Sequence, residues 1–343
     1  MGGALTRNGQ RVSALLVGTI LGFALLEAGA RGWVRYRITR LPPVSAAAAD
    51  VLLSDPSLGY RYKPDLRDDR GGLVTNHYGV REQDWAPEIL QRSRVILNLG
   101  DSITFGLNLS RPDEVYGKVL QSLLNRRGNG SVIVYNAGVS GYNSAQELAF
   151  IEELSRTLKF DAVLVGFCLN DSAPALQINP EMRNGVVWAP AAIRSVGDLF
   201  SRRALDHVVS YTLAKEAVKS IQRRHPSLFP ARWLWHNALV GSAGWEQMKL
   251  SLLEMKRLLD AKHVPLTIAI FPYEHQLHLT AESNLAQQDL LRFCRANRID
   301  CVDLYDAFRE NRDRIGWDAE GTHFDARGHR VAGEALYAHF AGR

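Results

Sequence analysis

Ser102 stands in Gly100-Asp101-Ser102-Ile103-Thr104-Phe105-Gly106, directly after the apolar run Val95-Ile96-Leu97-Asn98-Leu99. The flanking glycines permit a tight turn and close backbone approach. A serine hydroxyl is a weak nucleophile at its free pKa and needs a neighbouring base. The candidate base is His323, in Glu320-Gly321-Thr322-His323-Phe324-Asp325-Ala326-Arg327-Gly328-His329. A carboxylate three residues before it, Glu320, can hold the imidazole tautomer while the other ring nitrogen faces the serine. Asp318 and Asp325 compete with Glu320 for that role. His329 reads as a hydrogen-bonding helix residue, and Asp101 as a stabiliser of the serine turn. Acyl chemistry also needs donors aimed at a developing oxyanion. Asn136-Ala137-Gly138-Val139-Ser140-Gly141 follows a second apolar run and offers backbone N–H groups. Leu169-Asn170-Asp171 follows a third and offers a side-chain amide.

These residues need a frame that brings the ends of several strands together. Short apolar runs at 95–99, 132–135, 162–168, 266–271 and 301–304 alternate with helical patterns at 114–127, 144–158, 246–261, 281–296 and 327–340. Asn143 is a plausible cap for the second helix. This βαβ rhythm predicts an α/β fold, with a parallel sheet of about five strands covered by helices on both faces. Ligands of such sheets sit beyond the carboxyl ends of the strands, where Ser102, the 136–141 stretch and Asn170 all fall. The rhythm breaks over residues 172–244, about 70 residues with Trp188, Trp233 and Trp235 inside and Trp245 at the edge. That is far beyond a usual βα loop and reads as a partly helical, cap-like insertion. Most of its tryptophans are expected to pack it to the body, with one or two lining a cleft in the minority reading.

The net charge of +5 is concentrated at the N-terminus. Residues 1–40 hold six arginines and one acid, Glu27, while basic and acidic residues balance over the rest. The body therefore lacks the electrostatic footprint of a nucleic-acid binder. The N-terminal segment is apolar from Val12 to Leu26, behind Arg7 and Arg11. It reads as a membrane anchor continuing through Ala28-Gly29-Ala30, with Trp33 and Tyr36 as an interfacial belt. Cleavage at that Ala-Gly-Ala as a signal peptide is the alternative. More arginines follow the run than precede it, so a bare positive-inside count places the domain in the cytoplasm. The signal-like layout favours export instead. Residues 41–90 form a linker and lead-in, and 91–343 the main domain. Cys294 and Cys301 are expected as two buried free thiols, a disulfide in an oxidising compartment being the alternative. Glu274-His275-Gln276-Leu277-His278 is not a zinc motif, and no metal is expected.

The four chemical blocks, in this order, resemble the SGNH (GDSL-like) hydrolase superfamily. The resemblance covers about residues 95–340, with 172–244 unmatched. It implies a three-layer α/β/α sandwich of the flavodoxin-like SGNH type and a serine esterase that needs no cofactor. Carried onto this chain, it makes Ser102 the nucleophile and His323 the base. Oxyanion donors would be the Ser102 and Gly141 N–H groups (Gly138 being the alternative to Gly141) and the Asn170 amide. The family usually has Asp three residues before the histidine; here that position is Glu320, so a Ser-His-Glu relay is expected. Exported bacterial proteins of similar layout suggest an O-acetylated envelope or extracellular carbohydrate as substrate. A lysophospholipid or other lipid ester, an O-acetyltransferase, and a degenerate polysaccharide-binding protein are the other readings.

Overall fold

The computed structural model describes residues 14–32, 51–68, 73–126, 131–173, 177–178, 187–188, 210, 239–278, 284–318 and 321–341. The chain divides into two compact units, one of residues 1–45 and 190–229, the other of 46–189 and 230–343. In the first, helix α1 (Ala14–Gly32) has 19 residues and a mean hydropathy of 1.5. At 1.5 Å per residue it is about 28 Å long, close to the thickness of a bilayer core. Leu15, Ile20, Leu25 and other large apolar side chains on it are exposed, as suits a signal sequence or anchor. Near its end Glu27 pairs with Arg31 and accepts hydrogen bonds from the Ser210 N–H and hydroxyl.

The second unit begins with a hairpin, β1 (Leu52–Asp55) and β2 (Gly59–Tyr62). Helix α2 (Pro87–Arg92) leads into the sheet strands β3 (Ser93–Gly100), β4 (Ser131–Gly138), β5 (Ala162–Phe167), β6 (Leu266–Ile270) and β7 (Asp300–Asp303). All five pair in parallel, in the order β7-β6-β5-β3-β4. β5 and β6 are buried along their whole length, as continuous apolar runs in a parallel sheet should be. The order reverses between β3 and β5, so the connections leaving these neighbours diverge and open a crevice at their carboxyl ends.

Between and after the strands come α3 (Ser102–Phe105), α4 (Tyr116–Asn125), α5 (Ser144–Leu154), α6 (Ala243–Asp260), α7 (Leu285–Ala296), α8 (Tyr305–Glu310) and α9 (Ala326–Phe340). Successive strand residues point to opposite faces. Phe167 meets Trp245 of α6, while a side chain at neighbouring Gly166 would strike the Tyr116 hydroxyl of α4. α6 and α4 therefore cover opposite faces. α5 packs with α6, and α9 with α4, which completes the three layers expected from the sequence. Asn143 caps α5 by accepting from the Ala145 and Gln146 N–H groups, and Gln146 bonds back to it. Such a capping box is worth about 1 kcal/mol.

The lead-in is integral to this unit. Arg81 donates to the carbonyls of Gly106 (2.7 Å) and Leu109 (2.7 Å), beyond the serine helix. Buried Glu82 accepts from the Asn136 N–H and pairs with Lys118. Of the tryptophans, Trp245 is fully buried and donates to Asp289, a packing role. Trp233, Trp235 and most of the cap-like insertion expected over 172–244 lie outside the described residues. Gln177–Ile178 and Val187–Trp188 form a short antiparallel pair. The free-thiol expectation is corrected: Cys294 of α7 and Cys301 of β7 are disulfide-bonded, their Cα atoms 6.4 Å apart. The turn after α7 folds back so that the strand begins alongside the helix end, which spacing alone does not reveal.

Candidate active site

Ser102 opens α3, two residues beyond Gly100, the last residue of β3. Its neighbour Asp101 caps that helix by accepting from the Ile103 N–H at 2.9 Å. Gly100 has φ 152°, and a side chain there would come within 2.0 Å of the Thr104 hydroxyl, so the turn requires glycine. The Ser102 N–H lies in the first turn of α3, where N–H groups lack intrahelical partners.

His323 reaches this turn from 221 residues away in sequence, its Nε2 2.8 Å from Ser102 Oγ. Its Nδ1 lies 2.6 Å from Asp318 Oδ2. Glu320, expected to face the histidine, lies outside the described residues; the described carboxylate that does so is Asp318. The reason is local folding. The Asp318 N–H donates to the His323 carbonyl, and the Gly321 N–H to the Asp318 carbonyl. A Trp317–Phe324 bridge closes the loop, and Gly321 turns it with φ 66°. These bonds carry Asp318, five positions back, alongside the imidazole. Burial alone would raise its pKa, but the Thr322 N–H (2.9 Å) and His323 hold the carboxyl below its ordinary range. The other competitor, Asp325, caps α9 and pairs with Arg327. His329 accepts from the Tyr116 N–H at 3.3 Å and is buried against Phe324. Burial pushes its pKa down to about 3, so it stays neutral and structural, as the sequence indicated.

Asn170 sits in a 3₁₀ turn (Leu169–Ser172) after β5, the strand next to β3. Its Nδ2 donates to Asp101 Oδ2 at 2.6 Å, and its Oδ1 accepts from the Tyr273 hydroxyl at 2.6 Å. The amide is therefore oriented from both ends, with one N–H left for a ligand. Tyr273 escaped the sequence reading, although its place just past the end of β6, on the same sheet edge, was a usable signal. Asp101 is fully buried; desolvation raises its pKa against the bonds from Asn170 and the Ile103 N–H. Gly138 and Gly141 separate clearly. The Gly138 N–H is taken by Asn136 Oδ1 at 3.0 Å, and a side chain there would come within 2.3 Å of the Phe105 nitrogen. Among the described residues the Gly141 N–H meets no acceptor, and Gly141 has φ 85°.

Asp101, Ser102, Asn170, Tyr273 and His323 border a cleft of about 210 Å³ among the described residues. A hydroxyl on an imidazole that is oriented by a carboxylate, beside an amide donor, is an arrangement suited to acyl transfer. Among the described residues no group of His, Cys, Asp and Glu side chains is placed to hold a metal ion.

Residues 99–331 match the model of the GDSL-like lipase/acylhydrolase family, so the chain belongs to that family of ester hydrolases. Among curated proteins none is similar enough to match. Solved structures give distant likenesses. One is a lipolytic G-D-S-L protein from Veillonella parvula, with 14% identity, 72% of this chain and 98% of that chain covered, and a TM-score of 0.43. Another is the esterase EstA from Pseudoalteromonas, with 12% identity, 73% and 97% covered, and a TM-score of 0.44. A third is a mutant of the acetyl-xylooligosaccharide esterase Axe2 from Geobacillus, with 15% identity, 71% and 93% covered, and a TM-score of 0.42.

Proposed function

We propose that Ser102, His323 and Asp318 form the catalytic relay of a serine esterase that removes acetyl groups from an envelope or extracellular carbohydrate. The observation that carries the relay is the pair of contacts at His323, 2.8 Å to Ser102 and 2.6 Å to Asp318. His323 takes the Ser102 proton as Oγ bonds to the ester carbonyl carbon. The negative oxygen is held by the Ser102 and Gly141 N–H groups and the Asn170 amide. His323 then protonates the departing alcohol oxygen as its bond to the acyl carbon breaks. Water, deprotonated by His323, attacks the acyl-enzyme and releases the acid and Ser102. Asp318 keeps the proton on Nδ1 and offsets the charge of the imidazolium.

The small acyl group is supported by the cleft: about 210 Å³ among the described residues is below the roughly 300 Å³ at which sites for larger ligands begin. Placement of the domain outside the cytoplasm is supported by the Cys294–Cys301 disulfide, a feature of oxidising compartments; in this reading α1 is kept as the anchor. Protease accessibility of the domain on intact spheroplasts tests that placement, and full protection overturns it. The activity is tested with p-nitrophenyl acetate and the detergent-solubilised full chain, beside Ser102→Ala. Equal rates for the two proteins would exclude the relay. A preference for long acyl chains in a p-nitrophenyl ester panel would exclude the acetyl reading.

A further inference from the structure

The loop that carries Gly141 is held from the lead-in. The Tyr60 hydroxyl, on β2, donates to the Ser140 carbonyl oxygen at 2.6 Å. That carbonyl and the Gly141 N–H are the two ends of one peptide unit. In a planar trans peptide, C=O and N–H point in opposite directions, and none of the described peptide bonds is cis. A donor fixed on the carbonyl therefore fixes the direction of the N–H, aiming it away from Tyr60. The same bond polarises the peptide and strengthens the N–H as a donor.

Tyr60 is itself firmly placed. It pairs with Ser54 in the hairpin, and its carbonyl accepts from the Tyr142 hydroxyl at 2.6 Å. Its ring stands edge-on to that of Tyr142, with centroids 5.5 Å apart. Tyr62, two residues on and on the same face of the strand, stacks on Phe105 of the serine helix. Gly141 adopts the left-handed conformation, and its own N–H holds it to nothing in the described structure. Burial raises the Tyr60 pKa, so the hydroxyl keeps its proton where ester hydrolysis is measured.

We propose that Tyr60 is a positioning residue for the oxyanion hole, acting through the Ser140–Gly141 peptide. The lead-in before the sheet would then complete the site, and turnover would depend on it. This inference rests on the esterase reading of Ser102 and Gly141.

The test compares the full chain with Tyr60→Phe, Tyr135→Phe and Ser102→Ala, by kcat and KM for p-nitrophenyl acetate. Tyr135 is a suitable control because its buried hydroxyl also ties the lead-in to the body, accepting from Asn76 at 2.6 Å, but away from the loop. Tyr60→Phe should lower kcat about tenfold, less than the 10²–10³ of losing a donor outright, with KM within twofold. Tyr135→Phe should keep kcat. A kcat within twofold of the parent for Tyr60→Phe, a loss shared equally by Tyr135→Phe, or an effect on KM alone would overturn the proposal. Should Tyr60→Phe show no melting transition, p-aminophenylalanine at position 60 replaces it, keeping a weaker donor at the same point. A few-fold drop in kcat at fixed KM is then expected, and an unchanged kcat overturns the proposal. Ser102→Ala separates the two levels: if it retains activity the esterase reading fails, and if it is inactive while Tyr60→Phe is normal only the role of Tyr60 fails.

Discussion

Replacing Asp318 by Asn tests the relay at the carboxylate that the loop sets against the imidazole. Asp318 Oδ2 accepts from His323 Nδ1 at 2.6 Å and from the Thr322 hydroxyl at 3.2 Å, while Oδ1 accepts from the Thr322 N–H at 2.9 Å. An amide of the same shape can keep the Thr322 N–H bond only by turning its NH₂ group towards His323. A donor facing Nδ1 requires a lone pair there, which moves the ring proton to Nε2. The nitrogen beside Ser102 then has no lone pair and cannot act as a base. A tautomer error of this kind costs about 10⁴ in kcat, or about 5.5 kcal/mol of transition-state stabilisation. The opposite amide orientation sets NH₂ against the Thr322 N–H and forfeits a loop bond, at about 1–3 kcal/mol of stability. Asp318→Asn should therefore either lose about four orders of magnitude in turnover with an unchanged melting temperature, or lose less turnover and melt earlier. Hydrolysis of p-nitrophenyl acetate and thermal circular dichroism distinguish the two. Glu320→Gln should stay within about threefold of the parent. The reasoning is refuted if Asp318→Asn keeps both full activity and full stability, or if Glu320→Gln is the variant that fails.

Two further outcomes concern stability. Glu147 on α5 is buried, and neither of its carboxylate oxygens has a partner among the described residues. Desolvation, with the charge of Asp101 second, raises its pKa from 4.5 to about 8. The folded state then holds a proton that the unfolded chain releases, so stability falls as pH rises from about 4.5 to 8, by at most about 1.4 kcal/mol per pH unit. Glu147→Gln should flatten that slope in urea titrations between pH 5 and 8, and an unchanged slope would mean the group is already ionised in the fold. Reducing the Cys294–Cys301 disulfide, which closes a short loop, should cost about 2.5 kcal/mol by chain entropy. Dithiothreitol should lower the melting temperature of the parent but not of Cys294→Ser/Cys301→Ser, and an equal response of both would argue against the bond.

Local sequence carries most of the frame and the first half of the chemistry. Apolar runs of strand length alternating with helical patterns specify the parallel sheet, because burial on both faces demands continuous apolar strands. Ser102 and Asn170 were legible because each follows such a run closely, and chain connectivity places each at the carboxyl end of a strand; that the two strands are neighbours was decided by the sheet order. His323 was legible as a histidine on the loop before the last helix. Asn143 was readable as a cap because capping depends only on residues within the next turn. What tertiary structure decided are the partners that depend on how loops close. Asp318 faces the imidazole from five positions back because Gly321 and the Trp317–Phe324 bridge fold the loop onto itself. The cysteines pair because the turn after α7 returns the chain alongside the helix end. Tyr273 and Tyr60 reach Asn170 and Ser140 from 103 and 80 residues away. No local pattern encodes such contacts; they exist only once the sheet has brought its edges and the lead-in together.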